Sequence, residues 1–214
     1  MTMAANPFIL QAQPSLPGPL SGKVIVLDPG HAVMDDNDRV INPGARARHG
    51  AWERDIALAV AEKMTPLLEA QGAKVYRTRT SDNPWRYGPS QPGDNRSRAI
   101  LANVLHADAY IRLHCDWNRN RHFKGYTIYY FHWGSRGLAE AVDRAFAQAF
   151  PTHHDNGLHR RTFVSVTATM PTILVEMGVL TYKPEAKEFG NDTYQQQLAQ
   201  ALSSGVVDYF FKQH

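Results

Sequence analysis

Four residues of this sequence can hold a metal ion or work beside one, and each stands at the border of an apolar segment. His31 follows Val24-Ile25-Val26-Leu27 and the turn Asp28-Pro29-Gly30. His114 directly follows Ala109-Tyr110-Ile111-Arg112-Leu113, and Glu176 directly follows Thr172-Ile173-Leu174-Val175. Glu53 begins the apolar-periodic stretch beyond the long polar loop after His31. Two imidazoles and a carboxylate suit zinc, whose catalytic sites leave the fourth position to water. The remaining acid, Glu176, could then serve as a base. A carboxylate ending an apolar strand needs a partner or a purpose, whereas Glu53 alone would read as an acid favoured at a helix start. The residue types by themselves choose neither the metal nor the substrate.

These side chains converge only if the strands that carry them share an edge. The chain alternates strand and helix. Val24–Leu27 reads as a buried strand, and Ile56, Val60, Met64 and Leu67 repeat at near-helical spacing up to Gly72, with Pro66 predicting a kink or an early end. Lys74-Val75-Tyr76 opens a second strand, and the Pro- and Gly-rich stretch from Asp82 to Asp94 reads as a loop. A helix follows over Arg96–Leu105, then a third strand at Ala109–Leu113 and a fourth over Gly125–Phe131 with Tyr126, Ile128 and Tyr130 alternating. Leu138, Val142 and Phe146 mark another helix, stopped by Pro151. Thr172–Val175 is a last buried strand, and a helix with Leu198, Leu202 and Val206 closes the chain. This order predicts an α/β, single-domain, three-layer fold with a mostly parallel central sheet flanked by helices. In such sheets ligands bind at the C-terminal edge of the strands, which is where the candidate metal site falls.

Bulk composition narrows the function. The chain has 214 residues, 43% of them apolar, enough for one well-buried core. Its 23 Lys and Arg against 20 Asp and Glu give a net charge of +3, too small and too scattered for a nucleic-acid partner. Cys115 is the single cysteine, so any metal must be held by His, Asp or Glu. No apolar run has the length that membrane insertion requires. Residues 1–22 lack Lys and Arg and carry Pro7, Pro14, Pro17 and Pro19, which fails as a secretory signal and predicts an extended arm ahead of a 23–214 catalytic domain. A monomer is expected.

Other features read more simply. His153, His154 and His159 imitate a metal cluster, but Asp155-Asn156-Gly157 marks a polar loop. Asp35-Asp36-Asn37-Asp38 lacks the Gly and terminal Glu of a calcium loop. Asp28 reads as a brace for the turn or for His31, Cys115 as a small buried residue, and His132 as bordering the groove or packing. Trp85, Trp117 and Trp133 could stack on sugars or pack.

Taken in order, Leu27-Asp28-Pro29-Gly30-His31, Asn42-Pro43-Gly44-Ala45, Gly50-Ala51-Trp52-Glu53, Arg98–Asn103, Ile111-Arg112-Leu113-His114 and Met170–Gly178 resemble the motifs of the zinc-dependent N-acetylmuramoyl-L-alanine amidases. The likeness runs from about Lys23 to Phe210. It implies zinc held by His31, Glu53 and His114, with Glu176 as the catalytic carboxylate, and hydrolysis of the amide between N-acetylmuramic acid and L-alanine in peptidoglycan or muropeptides. The sequence departs from the family at Asn42, where the family has Asp, at Asp116, where it usually has Asn, and at Val166, where members often carry Arg. The His31–Glu53 interval is longer than the family's, the loop with Trp85, Arg86 and Tyr87 resembles an insertion, and the short His114–Glu176 interval predicts an uncovered site. A zinc carboxypeptidase or other amidohydrolase on wall peptides, and a weakly catalytic wall-binding module, stay as alternatives. The second is disfavoured by Glu176, which a pure binder does not need. Export is not legible, so action at the cell wall, as by a phage lysin, and action on cytoplasmic muropeptides both stay open.

Overall fold

A computed structural model describes residues 18–34, 37, 39–47, 50–81, 91–162 and 167–212. Residues 1–17 of the expected arm, Asp35, Asp36, Asp38, the segment with Trp85, Arg86 and Tyr87, and Val166 lie outside the described residues.

The first apolar run forms strand β1, Val24–Pro29, at the centre of the layers. It pairs in parallel with β4, Lys74–Arg77, on one side and with β5, Ala109–Asp116, on the other. β5 pairs in parallel with β8, Thr172–Val179. Beyond β8 come β6, Tyr126–Tyr130, which is antiparallel to it, and the edge strand β7, Asp155–Arg160. The sheet order is β4-β1-β5-β8-β6-β7, mostly parallel as expected. A two-stranded hairpin of β2, Val33–Met34, and β3, Val40–Asn42, stands apart from it.

Helices cover both faces. Side chains alternate across a strand, and the core follows that alternation. Ile25, Leu27, Ile111, Leu113, Ile173 and Val175 face helices α1 (Glu53–Glu69), α3 (Arg136–Ala149) and α5 (Asp192–Phe211) through Ile56, Val60, Val142, Leu198 and Leu202. Val26 and Tyr110 face α2 (Gln91–Val104) through Ala99 and Ala102. Each fully buried Ile, Val or Leu contributes about 1.5–3 kcal/mol. The three layers therefore leave Asp28, Arg112, His114 and Glu176 on the α2 side of the sheet, by parity with Val26, Tyr110 and Leu174.

The structure corrects four local readings. The stretch taken as loop to Asp94 is helical from Gln91, and Pro92 sits in the first turn, where its missing N–H costs nothing. Of the two outcomes predicted for Pro66, the early end does not occur: α1 runs on to Glu69, and the Pro66 carbonyl accepts the Ala70 N–H at 3.0 Å. Asp155–Gly157 belongs to edge strand β7, not to a loop. His114 and Glu176 lie inside their strands, because β5 runs on to Asp116 and β8 to Val179. Short helix α4, Lys183–Glu188, had no sequence signal beyond Pro184 in its first turn. Residues 18–22 turn back onto the body, and Leu20 is fully buried.

Candidate metal centre

His31, Glu53 and His114 each offer one ligand atom, and these atoms lie within 4.8 Å of one another. Glu53 is the hub. Its Oε1 stands 2.8 Å from His31 Nε2 and 3.0 Å from His114 Nδ1. The two rings meet edge to face at 4.9 Å between centroids. Each histidine side chain keeps 13% of its surface exposed, so the centre reaches solvent from one side.

Each ligand is placed by a separate element. His31 has φ +64° and Ala32 φ +59°, a left-handed pair that non-glycine residues adopt only when neighbours hold them there. The hold comes from Arg98, whose Nη2 donates to the His31 carbonyl at 2.7 Å, and from Asn42, whose carbonyl accepts the Ala32 N–H at 2.7 Å. Arg79 donates to the Pro29 and Gly30 carbonyls just upstream. Asn42 also faces the ring, with Oδ1 2.9 Å from His31 Nδ1. That contact fixes the ring so that Nε2 is the nitrogen facing Glu53. Glu53 starts α1; its N–H donates to the Ala45 carbonyl, and its carboxylate accepts from the Ala45 N–H at 2.9 Å and the Cys115 N–H at 3.2 Å. His114 comes from β5.

Two glycines make the approach possible. A Cβ at Gly30 would fall 2.3 Å from the His114 ring. At Gly44, with φ +75°, it would fall 2.7 Å from His31 and 2.8 Å from the Glu53 carboxylate. Neither position has room for a side chain.

The electrostatics suit a cation. Burial works to raise the Glu53 carboxyl, but the hydrogen bonds of His114 and His31 outweigh it and hold the group well below the usual carboxylate range. Burial lowers the His114 ring, helped by the nearby Arg112 charge and opposed by Glu53. His114 Nε2 is buried with no hydrogen-bond partner. Two ring nitrogens around one carboxylate oxygen form a donor set that fits a divalent ion of the zinc type.

Glu176 is not part of that trio but stands beside it, its Cα in register with that of His114 on the neighbouring parallel strand. Its Oε2 is buried without a partner. Burial, reinforced by the charges of Glu53 and Asp116, raises its carboxyl well above the ordinary range. Below the centre, Asp28 is fully buried and accepts from Thr78 Oγ1 (2.6 Å), Arg98 Nη1 (2.8 Å), Tyr110 OH (2.7 Å) and Arg112 Nε (2.8 Å). Burial opposes its charge, yet Arg98 and Arg112 hold its carboxyl far below the usual range. Asp28 is thus a brace for the turn.

Sequence reasoning missed two contributors. Asn42 was visible only as a motif position, and Arg79 carried no signal at all. Three other histidines lie elsewhere: His153 contacts Tyr194 OH, His159 the Asn156 carbonyl and His132 the Met170 carbonyl. Among the described residues they join no metal-holding group. Cys115 is buried and free.

The chain resembles known proteins in sequence and in fold. Residues 25–208 match the N-acetylmuramoyl-L-alanine amidase family. The "Probable cell wall amidase LytH" of Staphylococcus aureus is 28% identical over 193 residues, which is 90% of this chain and 60% of that protein. This chain therefore spans less than two thirds of the length of that curated relative. The amidase AmiC2 of Nostoc punctiforme superposes with a TM-score of 0.76 at 27% identity, covering 88% of this chain and 98% of that one. The amidase of Clostridium difficile 630 does so at 0.75 and 28%, covering 87% and 96%. The chain belongs to the N-acetylmuramoyl-L-alanine amidase family.

Proposed function

We propose that this chain hydrolyses the amide bond between N-acetylmuramic acid and L-alanine in peptidoglycan, with zinc held by His31, Glu53 and His114 and Glu176 as the catalytic carboxylate. The observation that carries the reading is the convergence of three ligand atoms beside a fourth, in-register acid whose Oε2 has no partner. Zinc held by His31, Glu53 and His114 would supply Lewis-acid polarisation of the amide carbonyl and activation of the attacking water. Glu176 takes the proton from the attacking water as its oxygen adds to the lactyl carbonyl carbon. It then delivers that proton to the alanine nitrogen as the C–N bond breaks, without which the amine leaves poorly. The products are a lactyl carboxylate on the sugar and a free alanine amino terminus. No described helix is long and apolar enough to cross a membrane.

Incubation with purified sacculi and with soluble muropeptides, followed by mass spectrometry, tests this reading. New lactyl carboxylates with free L-alanine amino termini are expected. Release of a terminal amino acid from the peptide stem would instead mark a carboxypeptidase, and binding without product a wall-binding module.

A further inference from the structure

Where the chain leaves strands β5 and β8, a cleft of about 380 Å³ opens whose lining residues have no part in the proposed chemistry. Its walls are Arg46, Trp117, Asn118, Arg119, Arg121 and Thr181, over the buried Leu180. All extend elements that carry the centre. Arg46 follows Ala45, the residue that hydrogen-bonds the Glu53 carboxylate, and pairs with Trp52 through an isolated bridge. Trp117 to Arg121 continue from β5 past His114, and Leu180 and Thr181 continue from β8 past Glu176. Two bonds lock the strand ends together: Leu180 N–H donates to the Asp116 carbonyl at 2.8 Å, and Asn118 N–H donates to Thr181 Oγ1 at 3.1 Å.

Among the described residues the lining holds three guanidinium groups and no acid. Arg46 donates to the Gly50 carbonyl and lies over the Trp52 ring, contacts that leave its charge uncompensated. Arg119 and Arg121 have no ion-pair or hydrogen-bond partner among the described residues. The nearest carboxylate in sequence, Asp116, accepts the Trp117 N–H at 2.6 Å. Trp117 keeps 53% of its surface exposed, so a ring face is available to a ligand. Cations of one sign gathered around a concavity raise the local concentration of anions, and guanidinium forks match carboxylates in shape.

We propose that this cleft is a substrate subsite that recognises free carboxylates of the peptide joined to the scissile amide, with Trp117 packing on the adjacent aliphatic or sugar surface. This rests on the amidase reading. A peptide fits better than a wall polyanion, because the basic residues close on one small concavity at the ends of the strands that carry His114 and Glu176. A repeating polyanion would call for cations spread along a surface.

The test compares two probes on the full chain, the dipeptide L-alanyl-D-glutamate and its diamide, with Glu176→Gln as the protein for binding. Quenching of tryptophan emission that is lost in Trp117→Phe is expected for the acid. Its affinity should exceed that of the diamide by on the order of 10-fold, and Arg119→Gln/Arg121→Gln should erase that preference. Because this binding needs no turnover, it stands even if the muramoyl amide proves not to be the bond cleaved. In the active protein, muropeptides with free carboxylates should show a lower KM than amidated ones, with the difference lost in the double variant. Equal affinity for acid and diamide, an unchanged preference in the double variant, or tighter binding of glycerol phosphate oligomers than of the acid would each overturn the proposal.

Discussion

At the scale of single residues, the two glutamates of the centre are separated by their surroundings. Glu53 meets two imidazoles and two backbone N–H groups and stays ionised, whereas Glu176 Oε2 meets nothing and its carboxyl tends to keep its proton. Environments that push two acids apart divide ligand from proton carrier. Glu176→Gln, close in size, is expected to cut kcat by about 10²–10⁴-fold while binding zinc as the parent does. Metal content by mass spectrometry and turnover on muropeptides check this together; activity within a few-fold of the parent would remove Glu176 from the chemistry. Asn42 offers a second test. The family's Asp is replaced here by an amide that orients the His31 ring but adds no negative charge behind it. Asn42→Ala should weaken zinc binding by roughly 10–100-fold, and Asn42→Asp should tighten it, as read by competition with a chromogenic chelator. If both variants bind as the parent does, the contact has no bearing on the metal.

At the scale of elements, the turn between β1 and β2 that carries His31 depends on a buried clamp. Arg98 from α2 donates to Asp94, Asp28, the Pro29 carbonyl and the His31 carbonyl, a set that only a planar fork with several donors can serve. Arg98→Lys keeps the charge and loses the fork. The expected result is a stability loss of about 3–5 kcal/mol in urea unfolding and, in the fraction that remains folded, a zinc affinity lower by roughly tenfold. Lower stability with parental affinity would show that the clamp holds the fold and not the ligand. This clamp also marks the limit of what the sequence disclosed. The strands carrying His114 and Glu176 were legible because Ala109–Leu113, apolar except for Arg112, and Ile173–Val175 are short strand-like runs, and Glu53 because a helical period begins beside it. Strand β7 was not, since Asp155–Arg160 is a sheet edge with Leu158 as its one large aliphatic residue, and β2 and β3 are too short to show a period. The Arg98–His31 and Asn42–His31 contacts join residues 67 and 11 positions apart. No local pattern encodes such a relation.

At the scale of the whole molecule, the unpartnered acid of the centre costs stability in the metal-free protein, and pH exposes that cost. The folded state raises the pKa of Glu176, so above the ordinary glutamate value of about 4.3 the folded protein holds a proton that the unfolded chain has released. Stability then falls as pH rises through the window between the unfolded and folded values. The depressed carboxyls of Asp28 and Glu53 act in the opposite sense and at lower pH, where stability is lost as pH falls below the ordinary range. Other groups titrate across the same interval, so the parent's curve alone does not isolate Glu176. The difference between the parent and Glu176→Gln does, because the amide keeps the shape and cannot ionise. Measured by urea unfolding in the presence of chelator, the two proteins should be nearly equal in stability at pH 4. By pH 7 the variant should be the more stable, the gap widening by at most about 1.4 kcal/mol per pH unit. Adding zinc should narrow the gap, since a cation beside Glu53 offsets the repulsion that favours the protonated acid. A gap that stays constant from pH 4 to 7 would mean that Glu176 ionises in the folded protein as it does in the unfolded chain.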